Sequence, residues 1–150
     1  MHFTTIYILK NETLDTVSKE SIEEDFSYRF CYCCGETVPK YRYWCDWFQI
    51  GGRWCDLFNA KKGIHCERGW SNDNAPIVKG KFAICEIKDL TEPIDSTYIY
   101  AIATKSRIYQ HSNEWGGSEN GVNQDKYNEL LNKINNKQIN GVIALIDCHD

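Results

Sequence analysis

The chain has no apolar run approaching the roughly 20 residues that a membrane-spanning helix needs, so no such helix is expected. Its start, Met1-His2-Phe3-Thr4-Thr5-Ile6, has no basic segment followed by a long apolar stretch. No secretory leader is read there, and the expected compartment is the cytoplasm. Clustered Lys and Arg are also missing, and the net charge is −4. Duplex nucleic acid is therefore not an expected partner, because phosphate affinity needs concentrated positive charge. Motifs with a fixed mechanism are absent too: there is no P-loop, no G-x-S-x-G and no H-E-x-x-H. No reaction class can be read from a motif, and binding is favoured over catalysis.

What the sequence has in plenty is aromatic rings and sulfur. Aromatics make up 13% of the 150 residues, with five Trp and nine Tyr, enough to furnish both a core and a recognition surface. Eight cysteines stand at 31, 33, 34, 45, 55, 66, 85 and 148. Without export they are not expected to form lasting disulfides, which leaves small buried hydrophobes, a metal site or a reactive thiol.

A chain of this length fits one domain. Phe3 to Leu9, FTTIYIL, is β-branched and aromatic and predicts a first strand. Val17, Ile22, Phe26 and Phe30 recur at helical spacing, and Ser21 with Glu24 offers a capping box, so a helix is predicted over 16–29. Strands are predicted over 82–87, 98–104, 107–110 and 142–146. Tyr127, Leu130, Leu131 and Ile134 form one stripe of a helix over 124–134, with Asn123 as its N-cap. The order predicts an α+β fold: an antiparallel or mixed sheet with two helices packed on one face, a ferredoxin-like relative being one candidate. The first and last strands are expected to be central neighbours.

The densest aromatic segment, Tyr43 to Phe58, is divided by Gly51-Gly52. Adjacent glycines suit a two-residue hairpin turn. A tight turn would set Ile50 beside Arg53 and Phe48 beside Cys55, whereas a longer loop would set Asp46 opposite Arg53. Glycine lets a ligand approach the backbone, Arg53 offers a planar donor fork, and Trp47 and Trp54 offer ring faces. The competing reading is a structural hairpin whose Arg53 pairs with Asp46 or Asp56.

Two other groups could carry chemistry. Cys31 and Cys34 have the C-x-x-C-G form of a zinc knuckle, but zinc needs two further ligands. Only Cys45, Cys55, His65 and Cys66 are at hand for that, so no cofactor is expected and zinc is the one alternative. At the other end stand Asp147-Cys148-His149. Strand alternation sets Asp147 and His149 on one face, a candidate general base, and turns Cys148, a candidate nucleophile, to the other. His2, on the first strand, could join His149 and Glu114 in a pocket, with His111 and Trp115 in the nearby loop.

The stretch from Trp44 to Trp54, WCDWFQIGGRW, resembles the W-D-W-[YF]-x-I-G-G-R-W signature of a family of small phage and mobile-element proteins. The opening strand, the Trp115-Gly116 loop and the closing Asp147-Cys148-His149 resemble that family as well, so the likeness spans nearly the whole chain. Cys45 interrupts the signature, and the Cys31, Cys33 and Cys34 cluster is not part of the pattern. The resemblance carries no catalytic residues with it. It implies a counter-defence factor, anti-CRISPR-like, that works in the host bacterial cytosol. Such a protein would block a host defence protein, or act as an enzyme or sponge on a small nucleotide or phosphorylated ligand through Arg53 and Asp147 or His149.

Overall fold

The two longest strands among the described residues lie side by side. The computed structural model describes residues 2–30, 47–54, 57–65, 77–112 and 122–149. Strand β1 (His2–Lys10) pairs antiparallel with the last strand, β8 (Gly141–His149), through nine residue pairs from His2–His149 to Lys10–Gly141. Both are buried along nearly their whole length. A near-continuous apolar run of this kind marks a strand covered on both faces.

Two helices supply that cover, one on each face. Helix α1 (Lys19–Phe30) sets Ile22 and Phe26 against Phe3, Tyr7 and Leu9 of β1 and Val142, Ala144 and Ile146 of β8. The Tyr7 hydroxyl donates to Asp25 and ties the helix down. Ser18 caps this helix: its Oγ accepts from the Ser21 N–H at 3.0 Å while Ser21 Oγ accepts from the Ser18 N–H at 2.8 Å. The cap thus falls three residues before the predicted Ser21, because Ser21 acts as the reciprocal partner.

Helix α2 (Gln124–Asn135) buries Tyr127, Leu130, Leu131 and Ile134 against Ile6, Ile8, Ile143 and Leu145 on the other face. Its cap is as predicted: Asn123 accepts from the Lys126 N–H. The expectation of both helices on one face is corrected. Successive residues of β1 and β8 point to opposite sides and are apolar on both, so each side needs its own layer. The ferredoxin-like arrangement, with helices on a single face, goes with it.

The sheet is mixed. Its order is β2 (Trp47–Ile50), β8, β1, β6 (Ala101–Ala103), β7 (Ile108–Gln110). Strand β6 runs parallel to β1, and the other pairings are antiparallel. The predicted strand over 82–87 is divided. Lys81–Phe82 (β4) pairs with Phe58–Asn59 (β3), while Ile84–Glu86 (β5) pairs with β8 and runs on into a 3₁₀ turn at Ile87–Asp89.

The aromatic hairpin about Gly51-Gly52 is also corrected. Trp47–Ile50 pairs with Ile146–His149, and Phe58–Asn59 pairs with β4, so the two arms go to different partners. A long buried strand offers Phe48 and Ile50 more apolar cover than a local turn does, and both side chains pack on the α1 face. Cys31, Cys34, Cys45, Asp46, Cys55, Asp56, Cys66, Glu114 and Trp115 lie outside the described residues.

Cys85 lies on β5 and is fully buried. Burial, with the nearby Asp89 and Glu86 charges adding to it, pushes its thiol up to about 12. The raised value has a stability consequence. The unfolded thiol ionises first, so this contribution is complete below the unfolded value and is lost as pH rises towards 12. In the native protein at pH 8, Cys85 is expected to resist iodoacetamide, and to react once guanidinium unfolds the chain. Peptide mass spectrometry reads this directly, and rapid native alkylation of Cys85 would contradict it.

Candidate functional site

One end of the sheet gathers residues from three strands that are remote in sequence. The register sets His149 opposite both His2 and Trp47, and Asp147 opposite both Thr4 and Gln49. Alternation then places His2, Asp147, His149 and Trp47 on the same face, the one α2 covers further along. There the Trp47 and His149 rings stack, with centroids 5.1 Å apart and planes at 13°. The His2 ring meets both edge-on, at 5.4 Å from Trp47 and 5.1 Å from His149. Trp47 remains 46% exposed, so this row of rings reaches the surface.

Asp147 is 1% exposed and keeps both carboxylate oxygens occupied. Oδ1 lies 2.9 Å from His2 Nδ1, and Oδ2 accepts from the Arg53 backbone N–H at 3.0 Å. A buried carboxylate is tolerable only with such partners. The Arg53 amide reaches it through the glycine pair. Gly51 and Gly52 have φ of 80° and 50°, the Gly51 N–H donates to Leu145 O at 2.7 Å, and the Trp54 N–H donates to Gly51 O at 2.9 Å. A Cβ on Gly52 would stand 2.3 Å from Asp147 Oδ2. The glycines therefore form a turn that docks the backbone onto a carboxylate of the last strand. What Arg53 contributes to Asp147 is its main-chain amide.

In the neutral form of the His2 ring, with Nδ1 donating to Asp147, the lone pair lies on Nε2. Among the described residues Nε2 makes no hydrogen bond. His2 lines a cleft of about 430 Å³, whose walls include Trp54, Ser96, Thr97, Tyr98 and His111. The Ser96–Tyr98 wall is a 3₁₀ turn held by Asp95, which accepts from the Thr97 N–H at 2.9 Å. The cleft therefore offers two imidazoles, hydroxyls and the faces of aromatic rings, a set suited to a planar, polar small molecule.

The residues expected to act together are brought partly together. Trp54 shares the cleft with His2, and Arg53 adjoins it through Asp147. His149 stands beside His2 and packs its ring on Trp47. Cys148 is turned to the α1 face, fully buried, with its Sγ 3.7 Å from Thr5 Oγ1. It is removed from both histidines, as strand alternation requires. His65 lies over the Phe82 ring at 4.6 Å. Among the described residues, no group of three or more His, Cys, Asp and Glu side chains is placed to hold a metal.

Two features went unread in the sequence. The partner of Asp147 is His2 rather than His149, which only the strand register reveals. The Ser96–Tyr98 turn takes Tyr98 from the strand predicted over 98–104, which begins at Ala101, and Asp95-Ser96-Thr97, an N-cap followed by polar residues, was its signal. Comparison of the chain with protein-family models, curated proteins and solved structures gives no match.

Proposed function

We propose that this chain is a phage or mobile-element accessory protein that captures a small nucleotide in the cleft beside His2, a counter-defence role in which a host signal is sequestered. The observation that carries the reading is the His2–Asp147 pair, locked by the Arg53 amide and opening on an aromatic-walled cleft. A buried carboxylate that engages one nitrogen of an imidazole lining a cavity, and leaves the other without a hydrogen bond among the described residues, is an arrangement for touching a ligand. The volume of about 430 Å³ falls in the range of small-molecule sites. Trp54 and Tyr98 supply faces for a base, while Ser96, Thr97 and the imidazoles supply hydrogen bonds for a sugar or phosphate. The biological setting rests on the resemblance of the Trp44–Trp54 stretch to the phage signature.

A second reading has its own observation. Trp47, 46% exposed on an edge strand and stacked on His149, is a rigid aromatic anchor for a protein partner. On that reading the chain blocks a host defence protein directly, as an anti-CRISPR does.

Isothermal titration of the purified protein with linear and cyclic nucleotides tests the first reading. Saturable binding is expected, with the component that belongs to the cleft lost in a folded His2→Ala/Trp54→Ala protein. Absence of nucleotide binding, together with a Trp47-dependent complex with a purified CRISPR effector, would replace it by the second.

A further inference from the structure

At the far end of β1 lies a second cavity of about 570 Å³, closed in by the β6–β7 turn and helix α2. Its rim carries Lys10, Lys105, Lys126 and Lys133, and its floor includes Tyr109 and Leu130. This concentration of positive charge runs against the composition of the chain, which has 21 acidic residues to 17 basic ones. Glu129 holds the Lys126 and Lys133 ammonium groups at 3.3 and 3.0 Å, fixing two cations on one side of the groove. Among the described residues, Lys10, Lys126 and Lys133 set three ammonium groups against the Glu129 carboxylate, and the groove's own lining includes no acidic side chain. The Arg107 guanidinium lies 5.7 Å from the centre of the Tyr109 ring.

We propose that this groove is a binding site for a phosphorylated small molecule with an apolar or aromatic body. Lysines serve as mobile point charges for phosphate oxygens, and the apolar floor takes the remainder of the ligand. The site is separate from the cleft: His2 and Lys10 are eight residues apart on one strand, roughly 26 Å at about 3.3 Å per residue. One small ligand cannot span both. The inference stands whether or not the cleft binds a nucleotide.

The test uses ATP, inorganic tripolyphosphate and adenosine as probes, titrated calorimetrically into the intact chain and into the His2→Ala/Trp54→Ala protein. In both, ATP is expected to bind more tightly than tripolyphosphate, and adenosine to bind weakest. Lys10→Glu/Lys126→Glu, checked for folding by circular dichroism, is expected to weaken ATP binding by about tenfold or more, with the difference shrinking as salt screens the charges. The inference is overturned if ATP fails to bind the cleft-deleted protein, or binds no better than either of the other probes. Unchanged ATP affinity when the lysine changes are made in the cleft-deleted protein overturns it equally. Loss of binding in the cleft variant alone would count against the groove and leave the cleft reading intact.

Discussion

Replacing Asp147 by asparagine is expected to keep the sheet in register while reversing the hydrogen on His2. The carboxylate accepts on both sides, from the His2 ring and from the Arg53 N–H. An asparagine has one accepting oxygen and one donating amide. If its oxygen stays on the Arg53 amide, its NH₂ group faces His2 Nδ1, which must then accept, so the proton moves to Nε2, which becomes a donor in place of a lone pair. Long-range proton–nitrogen NMR reads the tautomer directly, with protonated Nδ1 expected in the native protein and protonated Nε2 in the variant. Losing a charge-assisted hydrogen bond is expected to cost about 1.5–3 kcal/mol, measured by urea unfolding. Ligand affinity in the cleft should fall by about tenfold or more, because a hydroxyl that donated to Nε2 now meets a donor. An unchanged tautomer in the variant would show that Asp147 does not orient His2. A changed tautomer with unchanged affinity would remove His2 from ligand recognition and leave the pair a structural device.

Gly52→Ala is expected to be the most disruptive single-methyl addition in the site. Two costs combine. The residue sits at φ 50°, where an L side chain is strained by about 1–2 kcal/mol. The added Cβ would also stand 2.3 Å from Asp147 Oδ2 and 2.5 Å from its Cβ, in a place with no room to yield. Overpacking of that kind costs typically about 1–3 kcal/mol more. A loss of about 2–5 kcal/mol is therefore expected, read as a lower urea midpoint. A double-mutant cycle with Asp147→Gly separates the two terms, because removing the side chain relieves the clash and leaves the backbone strain. Equal cost of Gly52→Ala in both backgrounds would show that the glycine serves the turn alone and not the approach to Asp147.

The site was legible in the sequence to the extent that its signals are local. Asp147 and His149 share a face because strands alternate, and Cys148 turns away from them for the same reason. The stripe of Tyr127, Leu130, Leu131 and Ile134 announced α2, with Asn123 at its start. Gly51-Gly52 announced a tight turn, and the turn is there. Reading it as the apex of a hairpin went astray because a glycine pair says that the chain bends, not what the arms then pair with. The runs FTTIYIL and VIALI carried a signal that bears on the helices: apolar residues on both parities mean two faces to cover.

Side-chain parity and the type of the longer elements were set by the sequence alone, since each depends on neighbours a few residues away. The pairing of His2 with Asp147, 145 positions apart, was a decision of the tertiary structure. It follows from the register in which the first and last strands lock, and that register is chosen by burying both faces at once between two helices. A one-residue slip would turn His2 from the side of Asp147 to the opposite face of the sheet. The same long-range closure sends Trp47–Ile50 to the edge of β8, and so brings the Arg53 amide and Asp147 within a hydrogen bond of each other.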